Sequence, residues 1–363
     1  QLLAAYPDYR RNDTVLYQLA RAYETGGLTD KALDVLDDLV ARFPDTALID
    51  EVQFRRGEML FLRQRYNDAE QAYDVVVDAG EASRFHEQAL YKLGWSRFKL
   101  AWHEDSFVPF FKLLDLKLDD LVDIGVGEQR LASLSRPERE LVEDTFRVLS
   151  IGFSYMEGAD TIDAFFQQNG SPSYGYVIYA NLGDLYLEKE RFVDAAETYE
   201  AFVAQDPLHR QSPLLQAKVI ESYKQGGFPT LVLGGKKHFV ERYGMDSAFW
   251  QRNPIDQNAE VAAHLRSHLT DLAQYYHAEA QRDGNKSDYQ QAADWYRKYL
   301  AYFPDDDDSA NTNFLLAEIL FESEDYEQAT SEYERTAYGY IDHEKSAEAG
   351  FAAILSYREH EKN

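Results

Sequence analysis

The chain has 363 residues, with 37 Lys and Arg against 64 Asp and Glu, a net charge of −27. A surface so acidic repels phosphates and anionic headgroups, which argues against nucleic-acid or membrane-surface partners. The absence of Cys excludes disulfides, thiolate metal sites and a cysteine nucleophile, while 45% hydrophobic and 14% aromatic content suffices for a packed core.

Residues 1–7 end in Pro7, 37 positions before Pro44, and read as the tail of an earlier helix in a chain cut from a longer one. No apolar run approaches the roughly 18–20 residues of a membrane span. From residue 13 the sequence reads Leu16-x2-Leu19-Ala20-x2-Tyr23, then Ala32-x3-Leu36, then Pro44. Residues 176–207 repeat this as Tyr179-x2-Leu182-Gly183-x2-Tyr186, Ala195-x3-Tyr199 and Pro207. Small residues at the eighth and twentieth positions let two antiparallel helices approach, large ones fill the space around them, and Pro cannot extend the second helix. Weaker copies begin at 50, 87, 213, 310 and 347, so that 13, 50 and 87, then 176 and 213, then 310 and 347 are each 37 apart.

Between 118 and 173 the rhythm breaks. Asp119–Leu134 reads as a loop, and Ser135-Arg136-Pro137-Glu138 carries helix-start chemistry, a serine cap with early proline and acid. The helix opened there, with the short Thr161–Gln168 segment, makes a degenerate repeat. Gly244–Asn258 is a second insertion. In the unit containing Ala292-x3-Tyr296, either Leu272-Ala273 or Glu279-Ala280 occupies the close-approach position. Leu272-Ala273 is preferred, which predicts an enlarged loop around Asp283-Gly284-Asn285. Residues 347–363 form a first helix with no second.

This pattern resembles the tetratricopeptide repeat superfamily over nearly the whole chain. The resemblance implies an all-α, right-handed solenoid of seven to eight helix hairpins. Residues 1–118 hold the earlier tail and three units, 119–172 the insert and degenerate repeat, 173–244 two units, and 245–363 further units ending in the unpaired helix. Arg42-Phe43-Pro44-Asp45 followed by Glu51–Glu58 and Arg65–Ala69 is similar to the spaced repeats of bacterial envelope scaffolds, which implies a periplasmic or outer-membrane-associated location.

In this superfamily the stripe at positions 2, 5, 9 and 12 of each first helix lines a concave groove that takes a peptide or helix. Here it contains Tyr17, Arg21, Phe54, Glu58, Phe61, Tyr91, Trp95, Phe98, Phe314 and Phe321. The expected function is a non-catalytic protein–protein scaffold; acidity with aromatics also suits a periplasmic exopolysaccharide-export segment holding a cationic sugar polymer.

Other motifs carry less. His264 and His268 share a helix face with Glu260, but no His-Glu-x-x-His accompanies them. Asp305–Asp308 lacks the spacing that wraps calcium and reads as a solvated loop whose last acids, with Ser309, cap the next helix. Gly234-Gly235-Lys236-Lys237 misses the phosphate-loop pattern, and its glycines are expected to permit a close helix contact. No catalytic residue, metal site or cofactor is expected.

Overall fold

First helices begin at residues 12, 49 and 86, again at 175 and 212, and again at 309 and 346, each one residue ahead of the repeat starts read from the sequence. The computed structural model describes residues 5–6, 8–118, 133–340 and 343–362. Among them the elements are α1 (Asn12–Thr25), α2 (Thr29–Arg42), α3 (Ile49–Leu62), α4 (Tyr66–Asp78), α5 (His86–Lys99), α6 (His103–Leu118), α7 (Arg136–Ser154), α8 (Ala159–Asn169) and α9 (Gly175–Glu188). They continue with α10 (Phe192–Gln205), α11 (Ser212–Gln225), α12 (Pro229–Tyr243), α13 (Ala248–Arg252), α14 (Ala259–Asp283), α15 (Lys286–Tyr302), α16 (Ser309–Glu322), α17 (Tyr326–Glu334) and α18 (Ser346–Lys362). No strand occurs among the described residues.

Helices pack chiefly on their sequence neighbours, the arrangement of an α-solenoid. The chain divides into two compact units, residues 1–182 and 183–363, the division falling within α9. The readings of residues 1–4 and 7 as a repeat's tail, and of 119–132 as a loop, lie outside the described residues.

Two backbone devices generate the 37-residue step. Six hairpins turn through three residues whose middle member is left-handed: Gly27 and Gly227, but also Gln64, Ala101, Glu190 and Glu324 at φ of 57–67°. In each, the next amide reaches back five residues, as from Leu28 to Tyr23 (2.8 Å) and from Arg191 to Tyr186 (2.8 Å). Between hairpins, two turns come in succession. The amide of Thr46 bonds Phe43 O and that of Ile49 bonds Thr46 O; Ser83 and His86 repeat this, as do His209 with Ser212 and Asp306 with Ser309. The second turn houses the three residues by which this repeat exceeds the common length of about 34. Side chains lock it: Thr46 donates to Asp13 at 2.6 Å, and Ser83 to Asp50 at 2.7 Å.

Within the hairpins, small meets large. A Cβ on Gly57 would lie 2.6 Å from the Tyr73 ring, and one on Gly94 would lie 2.7 Å from Phe110. Gly183 stands against Tyr199 in the same way. In the α11–α12 hairpin the volumes are exchanged: Ile220 occupies the close-approach position and Gly235 lies opposite, as the glycine pair suggested, whereas a Cβ on Gly234 would meet nothing within 4 Å.

The irregular segments differ from expectation in two places. Instead of an enlarged loop at 283–285, α14 runs unbroken to Asp283 and turns through Gly284 and Asn285 alone. Fully buried Ala280 lies 16 residues before Tyr296, the offset that separates Gly57 from Tyr73 and Gly183 from Tyr199, so Glu279-Ala280 holds the close-approach position. The acids before α16 do not cap it. Asp306 instead accepts from the Tyr299 hydroxyl (2.8 Å), and Ser309 points back to Phe303 O (2.5 Å). The start of α7 matches expectation, with the Ser135 amide and hydroxyl both donating to Glu138 (3.1 and 2.6 Å).

Candidate functional site

Helical spacing places the stripe residues of each first helix on one line, and residues of the same and the following hairpin partly cover that line. Tyr17 is only 5% exposed. Its hydroxyl donates to Glu51, 34 residues on, and accepts from Arg55 Nε at 3.1 Å. Burial and the bond to Glu51 push the Tyr17 phenol up; the Glu51 carboxyl, opposed by its own burial, is held below its ordinary value by Tyr17 and Arg55. Arg21 remains exposed.

Phe54, half-buried, stacks on Phe85 (4.8 Å) and meets Tyr73 edge-on (6.0 Å). Glu58 accepts from the Tyr73 hydroxyl at 2.5 Å and pairs with Lys92 at 3.1 Å. The Lys92 ammonium also lies 5.1 Å from the Phe61 centroid, and that ring meets Tyr66 edge-on. On α5 the covering element is α7. Tyr91 donates to Asp144, and burial together with that carboxylate raises its phenol to about 12. Trp95 and Phe98 form an edge-on pair (5.5 Å) that continues through His103 (5.2 Å) to Tyr155 (6.2 Å from Phe98), which is 62% exposed.

In the second unit Phe314 is 6% exposed, edge-on to Tyr333 (5.8 Å) and 5.1 Å from the Lys345 ammonium. Phe321 is half-buried against Tyr326 (5.3 Å). The structure thus brings Phe54, Glu58, Phe61, Tyr91, Trp95 and Phe98 onto the consecutive first helices α3 and α5. Tyr17 and Phe314 lie inside the packing, where a partner does not reach them.

Sequence reading missed what the stripe's acids do. Glu58, Asp184 and Glu318 each accept from a tyrosine 15 residues later, Tyr73, Tyr199 and Tyr333. The signal was present as an acid at position 9 and a tyrosine at position 24 of the same repeat. His264 and His268 stack at 5.9 Å, but no group of three or more His, Cys, Asp or Glu is placed to hold a metal among the described residues. Nor is any described helix long and apolar enough to cross a membrane.

Residues 17–84, from α1 through α4, match the tetratricopeptide repeat family model. No curated protein matches the sequence. Among solved structures, the C-terminal part of a TPR repeat-containing protein from Cytophaga hutchinsonii is 13% identical over 82% of this chain and 98% of its own, with a TM-score of 0.31. A tetratricopeptide repeat protein from Parabacteroides merdae is 11% identical over 96% and 99%, with a TM-score of 0.29. The TPR2AB domain of yeast Sti1, in complex with pHSP90, is 10% identical over 96% and 99%, with a TM-score of 0.28. The family match is carried by residues 17–84, α1 to α4, and the same hairpin and 37-residue step recur through both units of an all-α solenoid.

Proposed function

We propose that this chain is a protein-interaction scaffold whose first unit holds a peptide or helix of a partner along the Phe54–Phe61–Trp95–Phe98 line, in a bacterial envelope setting as its repeat flavour implies. The observation that supports the site is the run of half-buried rings on α3 and α5 that ends at exposed Tyr155. Rings held by their neighbours at one face and open at the other give contact area with little loss of side-chain freedom. The overall charge of −27 favours a partner segment with apolar anchors and basic flanks.

The test uses a photo-crosslinking residue placed singly at Phe61, Phe98 and Tyr155, with 40%-exposed Val75 on α4 as control. Crosslinking in living cells to one protein from the three stripe positions and not from Val75 supports the site. Uniform or absent crosslinking overturns it. The captured partner is then titrated against the wild type and Phe98→Ala, with thermal unfolding as the control for folding.

A further inference from the structure

Three places in the chain read Asn-x-Ser or Asn-x-Thr with no proline between: Asn12-Asp13-Thr14, Asn169-Gly170-Ser171 and Asn285-Lys286-Ser287. An asparagine in that frame accepts an N-linked glycan when its amide nitrogen lies open on a surface turn. The fold separates the three. Asn12 is 2% exposed, and its Nδ2 donates to Tyr6 O at 2.9 Å. Asn169 ends α8, its Nδ2 donates to Phe165 O at 2.9 Å, and Pro172 directly follows Ser171. Asn285 differs in each respect. It stands in the turn between α14 and α15, where Gly284 is left-handed (φ 65°) and the whole run from Asp283 to Ser287 is exposed. Its backbone is extended (φ −82°, ψ 118°), and its Oδ1 accepts from the Ser287 amide at 3.0 Å, which leaves Nδ2 with no acceptor among the described residues. Only here is the residue two before the asparagine an acid, Asp283; Arg10 and Gln167 hold that place in the other two.

We propose that Asn285 is a glycan acceptor, the reacting residue of a frame from Asp283 to Ser287 that this turn presents to a membrane oligosaccharyltransferase. The donor class is a glycan joined through diphosphate to a polyprenol. In the transfer, Asn285 Nδ2 forms a bond to the anomeric carbon of the glycan. The bond from that carbon to the diphosphate oxygen breaks, its electron pair leaves with the polyprenyl diphosphate, and one Nδ2 proton passes to a basic group of the enzyme. Oδ1 keeps its lone pairs, so the cap on α15 survives the modification. Asp283 supplies an anionic handle: its partner Arg282, at 2.9 Å, holds it in an exposed ion pair that a cation of the enzyme replaces at little cost. The frame lies at the tip of a hairpin, where a bulky hydrophilic chain displaces no packed side chain. The inference rests on the envelope setting proposed above, because such a donor presents its glycan beyond the cytoplasmic membrane.

The experiment secretes the 363-residue chain, behind an added signal peptide, into the periplasm of bacteria with and without a bacterial oligosaccharyltransferase and its lipid-linked glycan. Delivery then does not depend on the envelope reading, which fractionation of the native cells tests separately. Intact mass and peptide mapping are expected to show a single glycan, on the peptide holding Asn285, in the cells with the enzyme and not in those without. Asn285→Gln and Ser287→Ala lose it, Ser287→Thr keeps it, and Asp283→Asn lowers the occupied fraction about threefold or more. Circular dichroism checks that each variant is folded. A bare Asn285 in the folded wild type overturns the inference. So does a glycan on Asn12 or Asn169 in its place, or one on Asn285 that Ser287→Ala and Asp283→Asn leave unchanged.

Discussion

Tyr199 and Asp184 stand 15 residues apart and are joined at 2.6 Å, phenol donating to carboxylate, and Lys218 binds the same carboxylate at 2.7 Å from the next hairpin. Tyr73, Glu58 and Lys92 repeat the trio in the first unit. Each trio ties the two helices of one hairpin to the first helix of the next. Burial and Asp184 push the Tyr199 phenol far above its ordinary value, so it stays a donor at any physiological pH. Tyr199→Phe is expected to lower stability by about 1–2 kcal/mol in urea unfolding, because Asp184 keeps only its ammonium partner. An unchanged midpoint would mean the bond contributes nothing.

Gly57→Ala puts a methyl 2.6 Å from the Tyr73 ring, which is fully buried and cannot swing aside. The expected cost is about 1–3 kcal/mol, from overpacking. Tyr73→Leu in the same chain opens room for the methyl. The pair of changes should therefore cost less than the sum of the two singly, a non-additivity that a double-mutant cycle measures.

The left-handed turn residue at Glu190 (φ 57°) occupies the place that Gly27 and Gly227 fill in their own hairpins. Glu190→Gly is expected to raise stability by roughly 0.5–1 kcal/mol, and Gly227→Val to lower it by about 1 kcal/mol or more. Thermal unfolding of the two variants checks both signs together.

His268 is 7% exposed, edge-on to Phe239 at 4.8 Å, with His264 stacked beside it. Burial first, then the charges of Lys236 and His264, lower its pKa from 6.5 to about 4, against the opposing pull of Asp271. The unfolded chain thus binds a proton between pH 6.5 and 4 that the folded chain refuses. Stability of the second unit is full above the upper value and falls as pH drops through that window, by an amount on the order of 3 kcal/mol. Comparing unfolding at about pH 7 and about pH 4.5, His268→Leu should show a smaller acid loss than wild type. Equal losses would remove His268 from the account.

The 37-residue step was legible because each position's size is dictated by a helix contact, and Ala32, Ala69 and Ala195 sit buried where the pattern put them. The register of α14 was not, because Ala273 and Ala280 differ by seven residues, two helical turns, and so share a face. Only the constant offset to Tyr296 separates them. The stripe was legible as a line of residues, but composition does not say what lies across it. Phe54 meeting Phe85, and Tyr91 meeting Asp144, are relations between elements. The glutamates read as groove charges were already engaged by tyrosines, a pairing that hydrophobic periodicity does not record.

The tyrosine–carboxylate bonds bear on how so acidic a molecule tolerates brine. Mobile cations shield ion pairs on the surface and weaken Arg–Asp and Lys–Glu attractions over distances near the Debye length, about 8 Å at 0.15 M. A phenol donating to a carboxylate carries no charge of its own to shield, and the added cations quiet the repulsion among the remaining acids. In the hairpins built on Tyr73, Tyr199 and Tyr333, rising ionic strength leaves the bond that spans the two helices in place.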